Sequence, residues 1–173
     1  VKRNKLGFLS NAAKFNNENC KVIVRPGKRD MMNEAFRVLR TNLDMVIDRK
    51  PGEAFVTMFT SFNPNAGKTF IIQNIAASMS LKPSKVLLLD LDLRKATLSK
   101  ALDKDHRGVA AYLNGKVEDY HDHIDVISEG LSVLPVGKLP PNPAELLLSE
   151  KFQSLMDSLK KEYDYIFIDC PPI

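Results

Sequence analysis

One short polar segment has the composition needed to bind phosphate groups. The residues Pro-Asn-Ala-Gly-Lys-Thr at 64–69 follow an apolar run at 54–59 and open an apolar-periodic segment at 70–81. This order predicts a strand, a tight turn and a helix, whose free N–H groups and positive dipole end would face a polyphosphate. Lys68 would neutralise the outer phosphates, and the Thr69 hydroxyl is placed to ligate Mg²⁺. The predicted ligands are therefore a nucleoside triphosphate and Mg²⁺.

The loop departs from the general phosphate-loop pattern at two positions. Phe62 occupies the place of the first glycine of that pattern, and Asn63 occupies the place of the signature lysine of the partition and division-site ATPases. A bare Gly-Lys-Thr also occurs by chance, so a turn followed by an ordinary helix stays an alternative. If the loop does bind nucleotide, the surrounding residues are Asn63, Pro64, Asn65, Ala66, Gly67, Lys68, Thr69 and Phe70.

Two further segments end in carboxylates. The run at 85–94 carries Asp90 and Asp92 after an apolar stretch, and the run at 163–172 carries Asp169 in the same way. Continuous apolar runs are typical of parallel strands that are covered on both faces, and ligands bind at the carboxyl ends of such strands. With Thr69, these three carboxylates are candidate Mg²⁺ ligands. Strand-terminal Asp residues that only cap turns are the alternative.

The pattern along the chain predicts an α/β domain: a mainly parallel sheet with helices on both faces, of the P-loop NTPase type. Asn142 followed by Pro143 and Glu145 is typical of a helix start. The predicted order is helix 31–48, strand 54–61, helix 68–81, strand 85–91, an irregular region 95–130, strand 131–136, one helix from Asn142 to about Lys161, and strand 164–170.

The first predicted helix has two faces. Its apolar side is predicted to contain Phe36, Leu39, Leu43, Val46 and Ile47. Glu34, Arg37 and Arg40 are predicted to lie on the opposite side and to point away from the core. A solvated charged face is the ordinary explanation of such a trio.

Composition and charge restrict the function classes. The 173 residues are 44% hydrophobic and 27% charged, which is typical of one globular domain, and no apolar stretch reaches the ~18 residues of a membrane span. Cys20 and Cys170 lack metal-ligand spacing and indicate a reducing compartment. His121-Asp122-His123 lacks a third ligand and is interpreted as a polar loop.

Residues 1–30 form a basic arm with eight Lys or Arg and two acidic residues. Such a segment predicts a solvated linker near an acidic surface such as an anionic membrane leaflet, and an ordinary flexible terminus is the alternative. Nucleic acid is disfavoured as a partner, because only Phe8 and Phe15 accompany the basic residues.

In combination, these motifs resemble the bacterial tyrosine kinases (BY-kinases) of capsule and exopolysaccharide export systems. The resemblance covers about residues 25–173 and includes the loop without the signature lysine. It also includes Leu-Leu-Leu-Asp-x-Asp-x-Arg at 87–94, Ile-Asp-Cys-Pro-Pro at 168–172, the E-x-x-R-x-x-R pattern at 34–40 and the proline-rich segment at 135–147. Cys170 replaces the Thr or Ser that is more frequent in this family.

The resemblance implies an ATP- and Mg²⁺-dependent protein-tyrosine autokinase that controls exopolysaccharide or capsule synthesis and export. It implies catalytic roles for Lys68, Asp90 and Asp92, with Asp90 as the acceptor of the tyrosine proton. Glu34, Arg37 and Arg40 would then contact the neighbouring subunit of a homo-oligomeric ring. The other implied partners are a transmembrane adaptor, fused or separate, and a cognate tyrosine phosphatase.

The family context also implies a cytoplasmic domain tethered to the bacterial inner membrane. Residues 31–173 would form the P-loop kinase domain, and we expect further C-terminal elements and a tyrosine-rich tail to lie beyond Ile173. The alternative functions are a P-loop ATPase that switches assembly, as in partition proteins, and an inactive nucleotide-sensing partner.

Overall fold

A five-stranded sheet forms the centre of the computed structural model, which describes residues 22–50, 52–101 and 108–173. The strand order is β1-β5-β2-β4-β3. Strands β1, β5, β2 and β4 are parallel to one another, and β3 pairs antiparallel to β4 at one edge. The strands are β1 (Phe55–Phe59), β2 (Val86–Asp90), β3 (Asp125–Ser128), β4 (Leu131–Leu134) and β5 (Tyr165–Asp169).

The helices cover both faces of this sheet, which confirms the predicted fold class. They are α1 (Met31–Val46), α2 (Lys68–Met79), α3 (Thr97–Ala101), α4 (Val109–Leu113), α5 (Pro143–Leu147) and α6 (Glu150–Glu162), with a 3₁₀ turn at His121–His123. None of these helices is long and apolar enough to cross a membrane. Residues 1–21 of the basic arm, which include Cys20, lie outside the described residues.

The central strands separate two hydrophobic cores. Every residue of β2 and β5 is buried, as their continuous apolar runs predict. Because neighbouring side chains on a strand point to opposite faces, Leu88 packs into one core, and Leu87 and Leu89 pack into the other.

The first core lies between the sheet, α2 and α1. All residues of α2 from Ile72 to Met79 are buried, because this helix is enclosed by the sheet on one side and by α1 on the other. Phe36 of α1 meets Phe70 of α2 edge to face, with ring centroids 6.0 Å apart. These contacts fix the position of α2, the helix that begins at the predicted phosphate-binding loop.

The second core lies under α4, α5 and α6, and here the single helix predicted from Asn142 to Lys161 was wrong. The chain forms two helices, because the Ser149 side chain caps a new start by accepting the Phe152 N–H at 3.2 Å. Asn142 precedes the first helix but gives no side-chain cap; its amide donates instead to Glu145 at 2.8 Å.

The predicted irregular region at 95–130 contains more regular structure than expected. It includes α3, α4, the 3₁₀ turn and β3. These elements are only three to five residues long, which is too short for hydrophobic periodicity to reveal them.

The predicted faces of α1 were partly wrong. Phe36 is buried, but Val46 is 82% exposed and Leu39 is 36% exposed. Arg40 does not point away from the core: its Nη1 donates to the Ser78 carbonyl of α2 at 2.7 Å. The spacing explains this, because Arg40 follows Phe36 by four residues and therefore lies on the same side of the helix.

A histidine connects the 3₁₀ turn to α6. His121 Nδ1 lies 2.6 Å from Asp119, and His121 Nε2 lies 3.2 Å from both carboxylate oxygens of Glu162. The His121 ring also stacks on Tyr120 with centroids 4.2 Å apart. The hydrogen bond to Asp119, followed by the nearby charge of Glu162, raises the pKa of His121.

This contact predicts a pH-dependent contribution to stability. Because the pKa is raised in the folded chain, the contribution is complete below the unfolded pKa of about 6.5 and is lost as pH rises through the folded value. We expect His121→Gln to lower the free energy of unfolding more at about pH 5.5 than at about pH 8.5. Urea unfolding of both proteins at the two pH values checks this; an equal loss at both values would show that the imidazole charge contributes nothing.

Candidate active site

The loop between β1 and α2 is exposed and carries two residues in the left-handed backbone region. Asn65 has φ 62° and Gly67 has φ 82°. Gly67 is the residue that precedes the first turn of α2, and no side chain caps that helix start. Positive φ values in such a loop allow successive backbone N–H groups to point toward one anion. The geometry therefore agrees with the predicted phosphate-binding loop.

Two side chains at the start of α2 converge on one carboxylate of β5. Lys68 Nζ pairs with Asp169 Oδ1, and the Thr69 hydroxyl donates to Asp169 Oδ2 at 2.8 Å. The side chains of Lys68 and Asp169 are only 9% and 1% exposed. Burial raises the pKa of Asp169, and the Lys68 and Thr69 hydrogen bonds oppose that effect.

Asp90 lies at the end of the neighbouring strand. It is the register partner of Asp169 in the β2–β5 pairing, and it is fully buried. One carboxylate oxygen accepts the Asp92 N–H at 3.0 Å, and the other accepts the Ser99 hydroxyl at 3.3 Å. Burial first, and then the charge of Asp169, raise the pKa of Asp90 to about 7.

Asp92 shapes the chain that leaves β2. It is 4% exposed, and its Oδ1 accepts the Arg94 N–H at 3.3 Å and the Lys95 N–H at 3.1 Å. Asp90 and Asp92 therefore cap the turn after β2, which is the alternative considered for the strand-end carboxylates.

The oxygen donors at this edge fit Mg²⁺ in part. Thr69 and Asp169 supply a hydroxyl and a carboxylate in contact, and Mg²⁺ commonly takes one or two carboxylates together with phosphate and water. Within the described ranges, no three Asp, Glu, His or Cys residues form a group that could hold a metal ion. Ligation by Asp90 and Asp92 therefore stays a prediction, and the contacts favour Thr69 with Asp169.

The structure brings the predicted residues of the loop, β2 and β5 to one edge of the sheet, while Arg40 is part of the α1–α2 contact instead. Sequence reasoning missed Ser99, whose hydroxyl contacts Asp90. A lone Ser within a short helix has no recognisable pattern.

The segment after β5 also lines the loop: the Ile173 N–H donates to the Ser61 carbonyl at 3.0 Å, and the Thr60 hydroxyl donates to the Pro171 carbonyl at 2.8 Å.

Comparison with known proteins finds a matching family and similar sequences. A family model described as an AAA domain matches residues 56–173. Tyrosine-protein kinase wzc of Salmonella typhimurium is 37% identical over 145 residues, which are 83% of this chain and 20% of that protein. The chain thus spans about one fifth of the length of the curated relatives it matches.

Solved structures are also similar to this chain. The chimerical protein CapA2B2 superposes with a TM-score of 0.78 at 33% identity, over 88% of this chain and 66% of that one. The kinase domain of VpsO gives a TM-score of 0.68 at 31% identity, over 83% of this chain and 73% of that one.

More distant structures share the fold. A plasmid partition protein from Borrelia burgdorferi has a TM-score of 0.57 at 22% identity, over 69% of this chain and 57% of that one. Cobyrinic acid a,c-diamide synthase from Mycobacterium smegmatis, solved with a bound ATP analog and magnesium, has the same TM-score at 25% identity, over 68% and 51%.

The geometry predicts that Lys68→Met removes most of the affinity for ATP. A charged donor to phosphate contributes about 1.5–3 kcal/mol, which is roughly a 10- to 150-fold change in dissociation constant. Isothermal titration calorimetry with Mg²⁺ and ATP measures it. Lys82→Met is the matched control, because Lys82 pairs with Asp44 on α1.

A loss of folding must be separated from a loss of binding, because Lys68→Met leaves the buried Asp169 without its cation. The double variant Lys68→Met with Asp169→Asn removes that unpaired charge, so we expect it to regain stability without regaining affinity. Unchanged affinity in a folded Lys68→Met protein would contradict the assignment of this loop.

Proposed function

The chain belongs to the bacterial tyrosine kinase family and carries its AAA domain over residues 56–173, and from this premise we propose that it is an ATP- and Mg²⁺-dependent protein-tyrosine autokinase domain. The observation that supports this best is the convergence of Lys68 and Thr69 on Asp169, where the parallel strands end. A nucleotide bound at the start of α2 would meet a cation, a hydroxyl and a carboxylate in one place.

Phosphoryl transfer depends on positioning and on charge neutralisation. In the proposed site, Lys68 moves from Asp169 to the outer phosphates when ATP binds, and the loop N–H groups hold the phosphate oxygens. Thr69 and Asp169 would hold Mg²⁺, which neutralises phosphate charge when bound.

Asp90 is the proposed acceptor of the tyrosine proton. Its pKa of about 7 suits a group that takes up a proton near neutral pH. Both oxygens of Asp90 already accept one hydrogen bond each, and each oxygen keeps a second lone pair. Because Asp90 is fully buried, the chain around it would have to open for a tyrosine hydroxyl to reach that lone pair. Asp92 would fix the backbone of the turn that follows Asp90, by accepting the N–H groups of Arg94 and Lys95.

The biological context of the proposal comes from the family resemblance. We propose that the whole protein controls exopolysaccharide or capsule synthesis and export, and that it is tethered to the inner membrane through an adaptor. Its substrates would be tyrosines of neighbouring subunits, and a cognate phosphatase would reverse the modification.

An ATPase that switches assembly is the second candidate, because the fold is shared with plasmid partition proteins. Asn63 supports the kinase, since partition ATPases carry a signature lysine at that position. The two candidates differ in where the γ-phosphate goes: to a tyrosine in the first, to water in the second.

Incubation of the full-length protein with γ-labelled ATP and Mg²⁺, followed by phosphoamino-acid analysis, tests the proposal. We expect label on tyrosine. Release of labelled phosphate without labelled protein would instead support the ATPase.

Asn substitutions test the carboxylates. Asp90→Asn and Asp169→Asn keep the shape of each side chain and remove its charge, so we expect each to reduce autophosphorylation at least tenfold, or about 1.4 kcal/mol of barrier. Initial rates under saturating ATP measure this. Asp157→Asn on the exposed side of α6 is the control, and full activity in Asp90→Asn would exclude Asp90 as the proton acceptor.

We also propose that α1 contacts a neighbouring subunit, with a correction to its residues. Glu34 and Arg37 pair at 2.6 Å with both side chains partly exposed. Exposed apolar residues continue along the helix at Met31 (86%), Val38 (58%) and Met45 (79%). A row of exposed apolar residues beside a charged pair supports an interface. We leave Arg40 out of the proposed contact, because its Nη1 donates to the Ser78 carbonyl of its own chain.

The arginines should therefore behave differently. We expect Arg37→Ala to weaken self-association of the full-length protein and to leave the free energy of unfolding within about 0.5 kcal/mol. Arg40→Ala should destabilise the domain by about 1–2 kcal/mol, because it removes a charged donor from a helix-end carbonyl. Light scattering and urea unfolding measure the two effects. Equal stability losses in both variants would contradict the division of roles.

A further inference from the structure

One buried hydroxyl joins the candidate active site to the end of β4. Ser99 of α3 is 1% exposed. Its Oγ accepts the Val136 N–H at 2.8 Å and the Gly137 N–H at 3.3 Å, and it donates to Asp90 Oδ2 at 3.3 Å. Because a serine oxygen has two lone pairs and one proton, the two N–H donors leave the proton directed at the carboxylate.

The backbone that supplies these N–H groups is itself held in place. The N–H groups of Val109 and Ala110 donate to the carbonyls of Pro135 and Val136 at 2.8 and 3.1 Å. Gly108 lies so close that a Cβ there would be 2.2 Å from the Val136 carbonyl carbon. The start of α4 and the 135–137 segment are thus packed backbone to backbone, which gives the Ser99 hydroxyl a fixed support.

We infer that Ser99 is a positioning residue for phosphoryl transfer, acting through Asp90. Together with the Asp92 N–H, the Ser99 hydroxyl holds the two oxygens of a fully buried carboxylate at the end of β2. A hydroxyl fixed by two backbone donors cannot turn away at low cost, so the Asp90 carboxylate keeps one orientation toward the site. This inference rests on the proposed kinase function, in which Asp90 receives the tyrosine proton.

The test compares Ser99→Ala with Ser99→Thr in the full-length kinase. We expect Ser99→Ala to lower turnover about tenfold and to leave the KM for ATP within about twofold, because the hydrogen bonds of Ser99 go to Asp90, Val136 and Gly137 and not to the loop at 64–69. Ser99→Thr keeps the hydroxyl and should restore most of the turnover. Ser128→Ala is the control, because the Ser128 hydroxyl at the end of β3 is buried and has no hydrogen-bond partner among the described residues.

A double-mutant cycle shows whether Ser99 acts through Asp90. In an Asp90→Asn background, Ser99→Ala should change turnover by less than about twofold, because the interaction is already lost. Equal effects of Ser99→Ala in both backgrounds would overturn the inference, and so would failure of Ser99→Thr to restore turnover.

Amide hydrogen exchange separates this inference from the proposed function. Exchange at Val136 and Gly137 should accelerate in Ser99→Ala and return toward wild type in Ser99→Thr. Unchanged exchange would overturn the hydrogen-bond arrangement itself. Absence of tyrosine phosphorylation in the wild-type protein would overturn the proposed function, and with it the positioning role, even where exchange changes as expected.

Discussion

A carboxylate buried at the end of β5 is the constraint on which the rest of this site depends. Asp169 is 1% exposed, and an ionised group in such a place is costly unless it is paired and hydrogen-bonded. Lys68 and Thr69 satisfy both oxygens, so the first turn of α2 is tied to the central sheet. The same two residues are those that a phosphate loop directs at nucleotide and metal. The resting contact therefore keeps the residues together and would be exchanged for phosphate contacts when nucleotide binds.

The parallel sheet adds a second constraint. Because β2 and β5 are neighbours in register, Asp90 stands beside Asp169, and the charge of Asp169 disfavours the charge on Asp90. Hydrogen-bond donors from separate elements offset this repulsion between carboxylates: Lys68 from α2, Ser99 from α3 and the Asp92 N–H from the turn after β2. The chemistry of the site is thus distributed over three segments that the sheet alone brings together.

Much of this architecture can be predicted from sequence, for physical reasons. Continuous apolar runs at β2 and β5 indicate strands buried on both faces, and the carboxylates that follow them must meet at one edge. Other features depend on competition between local interactions. The Ser149 cap divides the helix predicted from Asn142, and Arg40 follows Phe36 into the α1–α2 contact although its charge suggests exposure. Ser99 could not be found, since its contacts with Asp90, nine residues away, and with Val136, 37 residues away, follow no local pattern.

A crystal structure of the chain with ADP and Mg²⁺ tests the central claim most directly. The account predicts that the phosphates lie on the N–H groups at the start of α2, that Lys68 Nζ leaves Asp169 for the β-phosphate, and that the Thr69 hydroxyl contacts the metal ion. A nucleotide bound elsewhere, with the Lys68–Asp169 pair intact, would contradict it.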